Sequence, residues 1–276
     1  MNKATNAPEL TNSERFIAWT ANQSAEPCRR WSYEIEAVGL GGASYALQNL
    51  GFDTHNDPSI TDADECQCDC GDCQHSCDCD NCSITNGWDS EPHCSECSDT
   101  EAAPSDYRPV KDTHDTDRLA EACQALRRAG ADIDDTCGGH VHVDAQDLSA
   151  QQVAKVMKLW RKVEEFFPDL IGREANRYAE EITERDLEDI TAEYPSAERY
   201  RAVNALNWIN GRHSGRKATI EFRQFAGTLD PQVIIARGYI CRALVEYAKS
   251  DRPVYWLLAS SATPERFLAD LGLSTL

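Results

Sequence analysis

Three short segments of this chain carry polar residues two positions apart. "YEIEA" has Glu34 and Glu36, "GHVHV" has His140 and His142, and "IEFRQ" has Glu221 and Arg223. In a β-strand, residues i and i+2 share a face. Each pair therefore points one way, while Ile35, Val141 and Phe222 point the other. If the three strands share a sheet, one face presents three carboxylates, two imidazoles and a guanidinium. Such a face is costly unless its groups coordinate cations or bind a charged ligand. Carboxylates with a single imidazole suit Mg2+ or Mn2+ better than a softer metal. Mg2+ held by Glu typically bridges to phosphate oxygens, and an Arg on the same face can stabilise a transferring phosphoryl group. The sequence has no Walker-type loop and no kinase signature, so a nucleotide site here would be of another kind.

A second cluster is louder. Cys66, Cys68, Cys70, Cys73, Cys77, Cys79, Cys82, Cys94 and Cys97 fall within a short stretch, with CxxC pairs at 70–73, 79–82 and 94–97. A CxxC turn offers two thiolates to one tetrahedral Zn2+, and two such turns close a structural site. The cysteines, with His75 and His93 as further donors, are expected to hold structural zinc. Disulfides or a redox role are the alternatives. No Lys or Arg lies between Trp31 and Tyr107, so the cluster lacks the cations a nucleic-acid reader needs. Of the remaining cysteines, Cys123 and Cys241 read as core residues and Cys137 as a weak candidate nucleophile.

These residues must be positioned by ordinary elements. "RRWSYEIEAVGL", "GGHVHVDA" and "ATIEFRQF" read as strands. Helices are expected over "GGASYALQNLGF", "DTDRLAEACQALRRAG", "LSAQQVAKVMKLWRKVEEFF", residues 172–193, "DPQVIIARGYICRALVEYAKS" and "TPERFLADLG". Ser149 and Asp230 suit N-cap positions by residue type, and Pro231 suits a first helical position. Residues 1–29 read as a polar arm, 30–252 as the main domain interrupted by a Cys-rich insert at 60–100, and 253–276 as a C-terminal helix. Short strands between long helices indicate an α+β or α/β domain.

Composition narrows the setting. The formal net charge is −20, with 7 Lys against 20 Arg. A surface of that sign repels nucleic acid, and in a salt-rich cytoplasm screening would relieve its self-repulsion; a salt-loving host is one expectation and an ordinary acidic protein the other. No apolar run is long enough to span a membrane, and "MNKATNAPEL" has no apolar signal segment, so the sequence reads as cytoplasmic.

The order "YEIEA", a long insert, "CGGHVHVDA", "RYRAVNALN" and "ATIEFRQFAGTLDP" resembles the amidoligases of the carboxylate–amine ligase superfamily, which includes glutamine synthetase and γ-glutamate–cysteine ligase. The resemblance covers roughly residues 30 to 250. It implies an α+β fold in which a curved antiparallel sheet, backed by helices, cradles ATP and divalent metals. It implies an ATP-dependent ligase that forms an amide or isopeptide bond through an acyl phosphate. Carried over by position, Glu34, Glu36, Glu101, His140 and Glu221 would be metal ligands. His142, Arg223 and Asn204 would face the nucleotide, and Arg223 and Glu221 would serve the transition state. Two departures stand out: "TEAAPS" disturbs the Ser-Pro expected after Glu101, and Ser32 stands where the family has Gly. Arg173 and Arg177 are candidates for a substrate carboxylate. The partners implied are ATP and an amino-acid, peptide or protein substrate, with no nucleic acid and no membrane. A metal-dependent hydrolase and a non-enzymatic zinc-bearing interaction module are the competing readings. The insert, lying between two metal-bearing strands, is a candidate flap.

Overall fold

The structure, a computed structural model, describes residues 10–22, 29–38, 43–50, 52–56, 100–104, 113–214, 218–259 and 262–273. The elements begin with α1 (Asn12–Thr20), β1 (Trp31–Ala37), α2 (Ser44–Asn49), β2 (Phe52–Asn56), β3 (Thr100–Pro104) and α3 (Thr113–Arg128). There follow β4 (Gly138–Asp144), α4 (Ala150–Phe166), α5 (Pro168–Ile171), α6 (Glu184–Thr191), β5 (Val203–Asn204) and α7 (Leu206–Ser214). The chain continues through β6 (Thr219–Ala226), α8 (Pro231–Lys249), α9 (Tyr255–Leu258) and α10 (Pro264–Asp270).

Six strands form one sheet in the order β2-β3-β1-β4-β6-β5, and every adjacent pair is antiparallel. This is a mixed α+β architecture, with an antiparallel sheet backed by helices. The three strands read from the polar pairs stand side by side at its centre. Alternation sends Tyr33, Ile35, Val141, Val143, Ile220 and Phe222 into the hydrophobic core. The helices that cover this face start where their sequences say. Ser149 caps α4 in a reciprocal box with Gln152, and Asp230 caps α8 with Pro231 in its first turn.

A β-bulge breaks the alternation on β6. The β4–β6 register shifts between Gly139 and Val141, so one extra β6 residue is accommodated there. As a result Phe222 and Phe225, three apart, both meet Trp160 of α4, with ring centroids 5.2 and 5.4 Å away. Gln224 accepts a 2.9 Å hydrogen bond from the Trp160 indole N–H. Strict alternation would have put Phe225 on the polar face with Glu221 and Arg223.

Helix α8 reaches the sheet through Gly238. A Cβ there would lie 2.3 to 2.6 Å from three ring atoms of Trp31, which is fully buried. Gly238→Ala gains about 1 kcal/mol of helix propensity. It must also push a rigid indole out of a close-packed layer, at about 1–3 kcal/mol or more. The overpacking wins, so the variant is expected to be less stable by about 1–2 kcal/mol, seen as a lower urea midpoint at unchanged slope.

Several expectations change. Residues 172–183 are not helical: α5 ends at Gly172, which is left-handed at φ 81°, and only Glu184–Thr191 forms a helix beyond it. Gly172 forces the break, and Thr183 caps the restart. Within the N-terminal arm, α1 (Asn12–Thr20) docks on the core. Helix α1 buries Phe16 against Phe167, and Ser13 Oγ accepts from Leu170 N–H at 3.1 Å. The insert sits between β2 and β3, which pair with each other, so it connects neighbouring strands at one edge of the sheet. Strands β2 and β5 and helix α7 carry no pattern strong enough to announce them, while β3 is the strand that the resemblance implies around Glu101. The C-terminal segment forms two short helices, with Phe267 of α10 packed on Phe166 at 5.6 Å.

Candidate active site

The polar pairs converge on the sheet face opposite the core. Register sets Glu34 opposite His140, His142 opposite Glu221, and Asn204 opposite Glu221. The face is not a solvated one. Glu36, His140, Asn204 and Glu221 are each 3–5 % exposed, and His142 and Arg223 are also buried. Only Glu34 is partly open. Water cannot neutralise these groups, so they neutralise one another.

His140 occupies the middle. Its Nδ1 lies 2.8 Å from Glu34 Oε2 and 3.4 Å from Glu221 Oε1. Its Nε2 lies 3.2 Å from Glu36 Oε1. Glu34 also reaches His142, whose Nε2 is 2.7 Å from Glu34 Oε1. Glu221 is held from two further sides. Arg223 Nη1 donates to its Oε1, and Asn204 Nδ2 donates to its Oε2 at 2.7 Å. Glu36 accepts from the Gly138 N–H.

The electrostatics follow from burial and these contacts. Burial alone would raise the Glu34 carboxyl, but His142 and His140 hold it well below its ordinary value. Glu221 is likewise lowered: burial opposes ionisation, and the two histidines and Arg223 overcome it. Burial would make His142 less basic, yet Glu34 and Glu221 raise it to about 9. The cluster thus recruits positive charge from its own imidazole.

The residues present fit a divalent cation. Single ligand atoms of Glu34, His140 and Glu221 lie within 4.8 Å of one another. Those donors are close enough together that one cation could be held by all three. The two carboxylates are hard oxygen donors that suit Mg2+ or Mn2+, and the imidazole adds one borderline nitrogen. Glu36 stands on the other edge of the His140 ring, apart from that trio. Glu101 lies in β3 with its backbone in register with Glu36.

Arg223 is fixed from several directions. Its Nε donates to the Tyr178 carbonyl at 3.2 Å, and its guanidinium lies 5.8 Å from the centre of the Tyr200 ring. Tyr178 and Tyr200 meet edge to face at 6.0 Å. Spacing does not assign these tyrosines to Arg223, since they meet it through tertiary pairing of Glu180 with 200–202.

Arg173 and Arg177, grouped by the sequence, separate in space. Arg173 Nη2 donates to the Arg223 carbonyl at 2.5 Å, beside Glu36 and Gly138. Arg177 is exposed and stacks on the Tyr178 ring at 4.7 Å. The structure does not bring Arg177 to the carboxylate cluster, because both residues lie on a loop rather than on successive turns of one helix. Cys137 is buried and its thiol is pushed up to about 12, mainly by burial. A thiolate is not available there at neutral pH, which removes it as a nucleophile. The nine clustered cysteines, Cys66 through Cys97, with His75 and His93, lie outside the described residues.

Among the described residues, no helix is long and apolar enough to cross a membrane. No curated protein matches the chain. A family model described as "Putative amidoligase enzyme" matches residues 108–245. That span holds His140, His142, Asn204, Glu221 and Arg223, and β1 completes their cluster from outside it. With half of its 276 residues matched, the chain belongs to the amidoligase family.

Proposed function

We propose that the protein is an ATP-dependent carboxylate–amine ligase that forms an amide or isopeptide bond through an acyl phosphate. The observation that carries this reading is the buried convergence of three carboxylates, two imidazoles and Arg223 on one sheet face. A phosphoryl acceptor and a triphosphate bring several negative charges together, and such a site must supply positive charge where it develops.

Glu34, His140 and Glu221 would hold Mg2+ or Mn2+, with Glu36 and Glu101 as further ligands nearby. Bound there, the cation supplies charge neutralisation for the phosphates. Arg223 would contact the γ-phosphoryl group, its guanidinium already held by Glu221 and the Tyr178 carbonyl. His142 would face the phosphates, and Asn204 fixes the outer oxygen of Glu221. A substrate carboxylate oxygen attacks the γ-phosphorus and ADP leaves. An amine then attacks the acyl carbon, the C–O bond breaks, phosphate leaves and the nitrogen loses a proton. A hydrolase that activates water on a metal would gain little from an Arg bonded to one of the metal's ligands. The same reading takes the antiparallel sheet as glutamine synthetase-like, the 60–100 insert as zinc-bound and the host compartment as cytoplasmic.

The test is ADP release with Mg2+, with and without a mixture of amino acids and peptides. Stimulation by the mixture is the expected result. Absence of nucleotide binding would sink the proposal.

A further inference from the structure

Arg223 is held through two of its three guanidinium nitrogens. Nη1 donates to Glu221 and Nε to the Tyr178 carbonyl. Among the described residues, Nη2 makes no bond to the protein. Two in-plane bonds set the direction of a guanidinium, but they leave it able to rock about the line that joins them. A contact on its flat face stops that motion. The Tyr200 ring supplies one, with its centre 5.8 Å from the guanidinium carbon. A guanidinium placed against an aromatic face is attracted by the ring quadrupole and stacks on it.

Tyr200 is held in turn. Its carbonyl accepts from the Glu180 N–H at 2.7 Å, the Ala202 N–H donates to the Glu180 carbonyl at 2.8 Å, and the Arg223 N–H donates to the Ala202 carbonyl at 2.9 Å. Residues 178–180, residues 200–202 and β6 are thereby laced together. Arg201 adds side-chain bonds, to Glu180 and, at 2.9 Å, to Asp186. The Tyr178 ring braces the Tyr200 ring edge to face at 6.0 Å. Neither ring belongs to the hydrophobic core, and Tyr200 is 45 % exposed, so core packing does not account for it. Its hydroxyl bonds to no described residue, which leaves the ring as the part in use.

We infer that Tyr200 is a positioning residue for the proposed phosphoryl transfer: its ring, braced by Tyr178, holds the plane of the Arg223 guanidinium and keeps Nη2 available to a phosphoryl oxygen. The inference rests on the ligase reading. It adds to that reading a residue that acts through Arg223 and needs no contact with the phosphate. A displacement of about 1 Å in a positioning group can cost about 100-fold in rate, so losing the ring has a measurable effect even though both in-plane bonds remain.

The test reads Arg223 directly and turnover beside it. In the full chain with isotope-labelled arginine, the NMR signal of the Arg223 Nε–H is identified by its loss in Arg223→Lys, and its exchange with water is measured. ADP release with Mg2+ is followed over a range of ATP concentrations. Tyr200→Leu is expected to speed the exchange at least tenfold and to lower kcat at least tenfold, with KM for ATP within about threefold of wild type. Tyr200→Phe keeps the ring and should stay within about threefold of wild type in all three quantities. Tyr194→Leu, which changes another exposed tyrosine, should match wild type. Equal exchange and turnover in Tyr200→Leu and wild type overturn the inference. So does an equal loss in Tyr200→Phe, which assigns the role to the hydroxyl, and so does unfolding of Tyr200→Leu, which makes the ring a stability element. Absence of ADP release from the wild type overturns the ligase reading instead, and the exchange rates then decide by themselves whether Tyr200 holds Arg223.

Discussion

Arg223→Lys is expected to lower ADP release by about 10³-fold or more while the protein stays folded. The magnitude is that of an arginine acting on a transferring phosphoryl group. The reason for choosing Lys is geometric. Arg223 spends Nη1 on Glu221 and Nε on the Tyr178 carbonyl, while its ring-facing side lies against Tyr200. That arrangement fixes a planar fork, with donors left over for a ligand. An ammonium is a point charge on a flexible stem and cannot make the bonds together. Charge is kept, so any loss reports geometry rather than electrostatics alone. The measurement is ADP release over a range of ATP concentrations, with binding of a fluorescent ATP analogue followed in parallel. A transition-state role predicts that kcat falls far more than nucleotide affinity. Turnover within tenfold of wild type would remove Arg223 from the chemistry.

Glu34→Gln is expected to weaken Mn2+ binding by about 100-fold or more. Glu34 lies closest to both imidazoles, at 2.8 Å from His140 and 2.7 Å from His142, against 3.4 and 4.0 Å for Glu221. The amide keeps the size of the side chain, so packing is retained. It loses the negative charge, and it offers a donor where a cation needs an oxygen. Two carboxylates and two histidines remain, which is why weak binding rather than none is expected. Titration of the full chain with Mn2+, by calorimetry or by water relaxation, gives the affinities directly. An unchanged affinity would mean that the cation sits elsewhere, and the trio of Glu34, His140 and Glu221 would lose its role.

Much of this site is legible in the sequence, because strand alternation is local. Glu34 with Glu36, His140 with His142 and Glu221 with Arg223 had to share faces as soon as their segments were strands. The caps at Ser149 and Asp230 are equally local, since each uses a side chain to satisfy N–H groups within three residues. The break after α5 escapes a local pattern for a related reason. Left-handed Gly172 ends α5, and the polar run behind it imitates an exposed helix.

What alternation cannot supply is which strands are neighbours, how they are staggered and what covers them. The order β1-β4-β6 and its registers, which set Glu34 against His140 and His142 against Glu221, come from pairing between residues about a hundred positions apart. The bulge on β6 is likewise a product of packing, with Phe222 and Phe225 both drawn onto Trp160. Burial is the largest of these tertiary decisions. The same six side chains on an open face would be solvated and individually ordinary. Buried as they are, with Arg173, Tyr178 and Asn204 bonded to Arg223 and Glu221, they lose water, and their charges must then be balanced by one another or by a ligand. The sequence by itself determined which groups share a face, through a two-residue period. Only the tertiary structure decided that the face is buried, that Arg173 joins it and Arg177 does not, and that Cys137 keeps its proton.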